Sequence, residues 1–130
     1  MSAPPVGSST ESRHIVTDAD TAQALGNPNV NVLGSARLLQ WIEQTVDQLW
    51  TGHRDPDEEV LLGTAFFLEH LGAAPLGSTL TIEATVMESG RRRGKYEVRA
   101  FTERGPVCEG WTANALMRLE TFRERLARRS

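Results

Sequence analysis

One long amphipathic helix precedes a series of strand-forming segments, and this order limits the possible folds more than any other feature of the sequence. Six apolar residues recur at three- and four-residue spacing, which is the stripe of an amphipathic helix: Leu38, Leu39, Ile42, Val46, Leu49 and Trp50. The stripe predicts a helix over residues 35–50, with Asn31 or Ser35 as its cap and Thr51-Gly52 at its end.

The strand-forming segments follow this helix. Residues 60–70 are almost continuously apolar, which predicts a strand buried on both faces. Residues 79–88 alternate between apolar and polar side chains, which predicts a half-buried antiparallel strand. A glycine-bounded hairpin loop at residues 89–94 leads to a return strand at 95–102, and a last long strand is predicted at 107–119.

The two ends of the chain differ from this middle part. Residues 1–12 are rich in Pro, Ser and Gly, so we predict a disordered lead, and they lack the basic start and apolar stretch of a signal peptide. A first strand is predicted within residues 13–24, and residues 120–130 are expected to form a frayed basic helix. Residues 13–119 then make one α+β domain, a helix against antiparallel strands.

Composition narrows the class of protein. A chain of 130 residues is one domain, and one this small cannot enclose both a large core and a large cavity, so we expect a substrate pocket at a surface shared with a second copy. A net charge of -3 and a pI of about 5.6 argue against a nucleic-acid protein. A single cysteine, Cys108, excludes an internal disulfide framework, and with three scattered histidines it offers no metal-ligand spacing.

The compartment follows from the same features. No apolar run reaches the roughly 20 residues of a membrane helix. We therefore expect a cytoplasmic protein of a reducing compartment, with no membrane and no nucleic acid among its partners.

Among the three histidines, His70 is the strongest candidate for a functional residue. It ends the most apolar strand and precedes the small-residue segment 72–78, which leaves room for a ligand. Imidazole can donate a hydrogen bond or shuttle a proton near neutral pH. The alternative is a histidine at the edge of the core that the backbone satisfies. His53 lies in a charged loop and is expected at the surface, and His14 begins a predicted edge strand.

Two residues of the predicted helix are further candidates. Glu43 lies at the border of the apolar stripe, where a carboxylate can serve as a general base, unless it is simply solvated. Asp47, one turn later, could play the same role less well and is interpreted as a surface residue. Ser35 either caps backbone N–H groups or faces a substrate. Ser35 and Glu43 are about 12 Å apart along a regular helix, so they can line one elongated site without a direct hydrogen bond.

The hairpin loop carries a basic cluster made of Arg91, Arg92 and Arg93, followed by Lys95. Such a cluster is either a solvated loop or a phosphate clamp for a ligand that bears a nucleotide.

Together these segments resemble the hotdog-fold acyl-CoA thioesterases, and among them the fluoroacetyl-CoA thioesterase-like group, over residues 32–119. In that group a hydroxyl residue stands eight positions before a helix Glu, as Ser35 stands before Glu43. A Gly-Thr-Ala strand start then leads to a His seven positions after the Gly, as Gly63-Thr64-Ala65 leads to His70. Ser35 stands where the group has Thr.

The resemblance implies a hotdog fold, an antiparallel sheet wrapped around the central helix, which dimerises side by side with two active sites at the interface. It implies hydrolysis of an acyl-CoA thioester, with no cofactor beyond the CoA of the substrate. Glu43 would act as nucleophile or as base for water, and His70 would polarise the carbonyl or assist the leaving thiolate. Ser35 would orient the partner of Glu43 or the acyl group. Gly63 and Thr64 would meet the substrate, an N–H near Gly63 stabilising the oxyanion.

Two departures from the group leave alternatives open. The fluoroacetyl-specific enzymes place a Phe lid shortly before the helix, whereas residues 27–31 here contain no aromatic, so fluoroacetyl-CoA is not the expected substrate. Ser in place of Thr also loses the β-branch that fixes the rotamer. The alternatives are a non-catalytic hotdog module that binds an acyl-CoA or a small apolar ligand and, less favoured, a hotdog enoyl-CoA hydratase or dehydratase.

Overall fold

Five antiparallel strands and one long helix make up the fold in a computed structural model that describes residues 2–129. The strands in chain order are β1 (Ser9–Ile15), β2 (Glu59–His70), β3 (Thr79–Ser89), β4 (Arg93–Thr102) and β5 (Gly105–Arg118). The helices are α1 (Ser35–Gln48) and α2 (Leu119–Arg129), with a 3-10 turn at Asp18–Asp20. Met1 and Ser130 lie outside the described residues, so the structure describes residues 2–12 of the predicted lead and residues 120–129 of the predicted tail.

All five strands form one sheet in the order β1-β3-β4-β5-β2, and every neighbouring pair is antiparallel. Strands β1 and β2 are therefore the two edges. One long helix against an antiparallel sheet confirms the predicted α+β class. Neither helix among residues 2–129 is long and apolar enough to cross a membrane.

The core lies between α1 and the sheet. Leu38, Ile42 and Val46 of the predicted apolar stripe are buried on α1. The alternation in β3 is confirmed, because Ile82 and Ala84 are fully buried while their sequence neighbours face away. Burying a Leu or Ile side chain contributes about 1.5–3 kcal/mol, so this stripe holds the helix on the sheet.

Strand β1 begins earlier than the sequence predicts. It starts at Ser9 and ends at Ile15, and it pairs with β3 in register from Ser9 opposite Thr85 to Ile15 opposite Thr79. The predicted disorder of the lead is therefore wrong for residues 9–12. Backbone hydrogen bonds hold this largely polar edge strand, so its sequence shows no hydrophobic pattern from which the strand could be predicted. The division into lead, domain and tail stays a prediction.

Strand β2 corrects a second prediction, since it is not buried on both faces within one chain. It is an edge strand, and Phe66 and Phe67 are 42% and 50% exposed. An apolar run at an edge is a surface that another chain can cover.

Helix α1 begins at Ser35 as predicted, but the cap differs. The N-cap is Gly34, and no side chain caps the helix, so neither Asn31 nor Ser35 has that role. The hydroxyl of Ser35 is thereby available for another contact. The predicted basic tail helix is confirmed as α2 over its described residues.

Candidate active site

Ser35 and His70 are brought together by the fold. Ser35 is the first residue of α1 and His70 the last of β2, and Ser35 Oγ lies 3.2 Å from His70 Nδ1. Both side chains are exposed. The two residues therefore form a polar pair open to a ligand, and we call it the Ser35–His70 pair.

Glu43 meets a different part of β2. Glu43 is half-buried and lines a small cleft together with Gly63. A Cβ atom at Gly63 would lie 3.1 Å from Glu43 Oε2 and 2.6 Å from Cζ of Phe66. Glycine therefore allows the carboxylate to approach the strand backbone, and we call this contact the Glu43–Gly63 pair.

A β-bulge lies beside the Glu43–Gly63 pair. Gly63 pairs with Asn114 and Ala65 with Ala113, so the ladder between β2 and β5 skips Thr64. Bulges of this kind re-aim side chains and are common next to active sites. Thr64 lines a second, larger cleft of about 430 Å³.

Within one chain the two pairs lie apart, and we call them the two half-sites. His70 lies seven positions after Gly63 on the strand, which is roughly 23 Å at about 3.3 Å per residue. The cleft beside Glu43 is lined by neither Ser35 nor His70. Within one chain the structure therefore does not bring Glu43 and His70 into the same cleft.

The basic residues of the hairpin do not all lie at the same cleft. Arg93 lines the larger cleft with Thr64 and Lys95, while Arg91 and Arg92 do not. Lys95 Nζ lies 4.4 Å from the ring centroid of Trp111, a cation–π contact that holds the ammonium at the cleft. Arg92 instead lies 4.0 Å from the carboxylate of Glu59.

The other two histidines, His53 and His14, lie away from the two half-sites. His53 Nδ1 lies 3.0 Å from the carbonyl oxygen of Ser2 at the surface, as expected. The ring of His14 stacks on Trp41 at 4.4 Å between centroids. Burial lowers the pKa of His14, which the nearby negative charge of Asp20 partly offsets. Neither histidine lines the clefts described above.

Asp47 is exposed, as interpreted from the sequence, but it also lines the small cleft beside Glu43. Partial burial of its carboxylate raises the pKa of Asp47; the positive charge of Arg54 opposes this and the negative charge of Glu43 adds to it. The four-residue spacing from Glu43 places it on the same helix face, and that spacing is the signal that could have linked it to the cleft.

Sequence reasoning missed Asn114 altogether. Tyr96 Oη lies 2.7 Å from Trp50 Nε1 and 2.6 Å from Asn114 Oδ1, and all three side chains are buried. Burial raises the pKa of the Tyr96 hydroxyl, which stays protonated near neutral pH. A polar residue at a core-facing position of β5, between buried Thr112 and Leu116, is the signal that could have pointed to it.

The family of the chain follows from a sequence comparison. A model of the fluoroacetyl-CoA-specific thioesterases matches residues 16–120, most of the chain. The chain belongs to this family. Membership makes it a thioester hydrolase, as the resemblance predicted, and favours this over the binding-module and hydratase alternatives. No curated protein sequence matches the chain at a significant level.

The fold of the chain is similar to that of solved structures of this family and of another hotdog protein. A variant of the fluoroacetyl-CoA-specific thioesterase FlK has a TM-score of 0.88 at 23% identity, with 97% of each chain covered. A FlK variant in complex with fluoroacetate and CoA has a TM-score of 0.82 at 24% identity, covering 91% of this chain and 98% of that one. A hot-dog-like protein from Thermanaerovibrio acidaminovorans has a TM-score of 0.85 at 22% identity, covering 96% and 92%. The predicted hotdog fold is confirmed.

Proposed function

We propose that this thioesterase hydrolyses a small acyl-CoA to free acid and CoA at a centre built from the two half-sites. The observation that carries the proposal is the approach of the Glu43 carboxylate to the strand at Gly63, beside a β-bulge. A half-buried carboxylate at a cleft can act as nucleophile or as base for water. Backbone N–H groups near Gly63 would stabilise the oxyanion that forms on the thioester carbonyl.

The Ser35–His70 pair supplies the second half of the chemistry. Ser35 Oγ lies 3.2 Å from one ring nitrogen, and the other nitrogen of His70 makes no hydrogen bond within residues 2–129, so it can meet a ligand. We expect it to polarise the thioester carbonyl or to assist the departing thiolate. Ser35 would orient the imidazole ring.

A side-by-side dimer through β2 would unite the half-sites. If two copies of β2 pair antiparallel about a two-fold axis between Phe66 and Phe67, residue 63 of one copy lies opposite residue 70 of the other. Each centre would then take Glu43 and Gly63 from one copy and the Ser35–His70 pair from its partner. The free edge of β2 and its exposed Phe residues support this arrangement.

The larger cleft offers a place for the CoA part of the substrate. Arg93 and Lys95 line it beside Thr64. Lys95 Nζ also lies 3.6 Å from the Glu88 carboxylate, so Arg93 is the main positive charge that we assign to CoA phosphates. The FlK variant with a similar fold binds CoA. Hydrolysis would need no cofactor, because CoA enters as part of the substrate. The reducing cytoplasm stays our expectation for the compartment.

Replacing Arg93 with Ala is expected to raise KM for acyl-CoA about tenfold while kcat changes little, because a charge-assisted hydrogen bond contributes about 1.5–3 kcal/mol. The measurement is thiol release as a function of acyl-CoA concentration. Arg104→Ala removes an exposed arginine from another hairpin and is the matched control. An unchanged KM for Arg93→Ala would show that the phosphates bind elsewhere.

The reaction itself is tested by thiol release over a panel of short-chain and aryl acyl-CoAs, with fluoroacetyl-CoA included. We expect efficient release from at least one member and no preference for fluoroacetyl-CoA. Tight binding of acyl-CoAs with no thiol release from any of them would contradict the proposed function.

A further inference from the structure

The side-chain amide of Asn114 is oriented by a buried chain of hydrogen bonds. An indole N–H can only donate, so Trp50 donates to Tyr96 Oη, and the Tyr96 hydroxyl in turn donates to Asn114 Oδ1. Trp50 and Tyr96 are fully buried and Asn114 is only 7% exposed. This chain places the amide oxygen of Asn114 toward Tyr96 and its NH₂ group on the other side.

The NH₂ group of Asn114 donates no hydrogen bond to the described part of the chain. The bond to Tyr96 is the only hydrogen bond that the Asn114 side chain makes to residues 2–129. Buried polar groups are almost always hydrogen-bonded to protein or water. Asn114 lines both the small cleft beside Glu43 and the larger cleft, so an acceptor for this NH₂ group can come from either cleft.

Two glycines leave the space that this arrangement needs. Asn114 lies opposite Gly94 on one side and opposite Gly63 on the other. A Cβ atom at Gly94 would collide with the hydroxyl of Tyr96, and one at Gly63 would crowd Glu43 Oε2 at 3.1 Å. Strand β5 thus presents the Asn114 amide between the hydroxyl that orients it and the carboxylate that shares its cleft.

The size of the small cleft indicates the ligand. Its volume is about 30 Å³, which exceeds the roughly 10–15 Å³ of such space that an ordered water molecule needs. Its polar lining combines carboxylates with an amide and a hydroxyl: Glu43, Asp47, Asn114 and Thr112. A bound water needs two to four such partners.

We propose that Asn114 is a positioning residue that holds the hydrolytic water against Glu43, an inference that rests on the proposed thioesterase function. The Asn114 NH₂ group donates to the water oxygen, and the water donates to the Glu43 carboxylate. As the water oxygen bonds to the thioester carbonyl carbon, its proton passes to Glu43. The tetrahedral intermediate then breaks the C–S bond, and the thiolate leaves and takes up that proton.

Asn114→Ala tests the water-positioning role, and we expect kcat to fall about 30- to 100-fold with KM nearly unchanged, because a misplaced reactant costs about 100-fold. Tyr96→Phe removes only the hydroxyl that orients the amide, so kcat should fall by a smaller factor at constant KM. Thr102→Val changes a buried polar residue of β4 outside the two clefts and is the control for structural loss. Each variant is compared by circular dichroism and urea unfolding.

A single turnover in H₂¹⁸O, with enzyme in excess over acyl-CoA, separates the two roles of Glu43. Label in the released acid and none in the Glu43 peptide is the expected result. Label in that peptide, or an unchanged kcat in both Asn114→Ala and Tyr96→Phe, would overturn the inference while leaving the thioesterase function intact. Failure of the unmodified protein to release thiol from any acyl-CoA would overturn the proposed function and the inference with it.

Discussion

Glu43→Gln is expected to lower kcat for acyl-CoA hydrolysis by about a thousandfold or more. The substitution keeps the size of the side chain beside Gly63 and removes the carboxylate that accepts the proton or attacks the carbonyl. General bases contribute about 10²–10⁴-fold, and covalent nucleophiles contribute at least as much. KM should change little, because the carboxylate acts on the reacting carbon. Thiol release under saturating acyl-CoA measures the effect.

The matched control is Glu83→Gln, the same chemical change at an outward-facing position of β3, where Glu83 forms an ion pair with Arg99. An exposed ion pair contributes at most about 1 kcal/mol, so this variant should keep its activity. Both variants should unfold at similar urea concentrations. A Glu43→Gln enzyme with more than about a tenth of the original kcat would show that the carboxylate does not carry the chemistry.

Phe67→Glu is expected to weaken self-association of the chain by about thirtyfold or more in Kd and to lower activity with it. In the proposed dimer this position lies opposite Phe66 of the partner subunit, so a carboxylate there must lose its hydration against an apolar surface. Because each centre takes residues from both copies, the loss of activity should be largest in dilute protein and smaller in concentrated protein. Sedimentation velocity and thiol release over a dilution series measure the two effects together.

Ile15→Glu is the matched control for the interface. Ile15 is 62% exposed on β1, the opposite edge of the same sheet. Ile15→Glu therefore replaces an exposed apolar side chain with a carboxylate, as Phe67→Glu does, but away from the edge of β2. This variant should associate and hydrolyse as the unchanged chain does. Equal self-association of the two variants would place the dimer contact away from the edge of β2.

Hydrophobic periodicity predicted the parts of the fold that are buried within one chain. The stripe of α1 and the alternation of β3 correspond to the observed core. The predicted position of β1 differs from the observed one because its residues are mostly polar and its pairing with β3 is through the backbone. The apolar run of β2 predicts burial on both faces, because a single sequence does not say whether the same chain or another one covers an apolar edge.

Spacing along the chain could identify the candidate residues of the site but not their grouping. Glu43 and His70 stood out by position and by family resemblance, yet their separation into two half-sites depends on where α1 crosses the sheet. The orientation of the Asn114 side chain is even harder to predict from the sequence. Its orientation follows from the register that sets β4 beside β5 and from a tryptophan 64 positions earlier in the chain.

The most direct test of the shared centre is complementation between two inactive variants. Glu43→Gln and His70→Ala are co-expressed with different affinity tags, and thiol release is measured on the mixed dimers. If Glu43 of one copy works with His70 of the other, each mixed dimer holds one intact centre of two, and about half of the original activity per dimer returns. Mixed dimers no more active than either parent variant would contradict a centre built across the β2 edge.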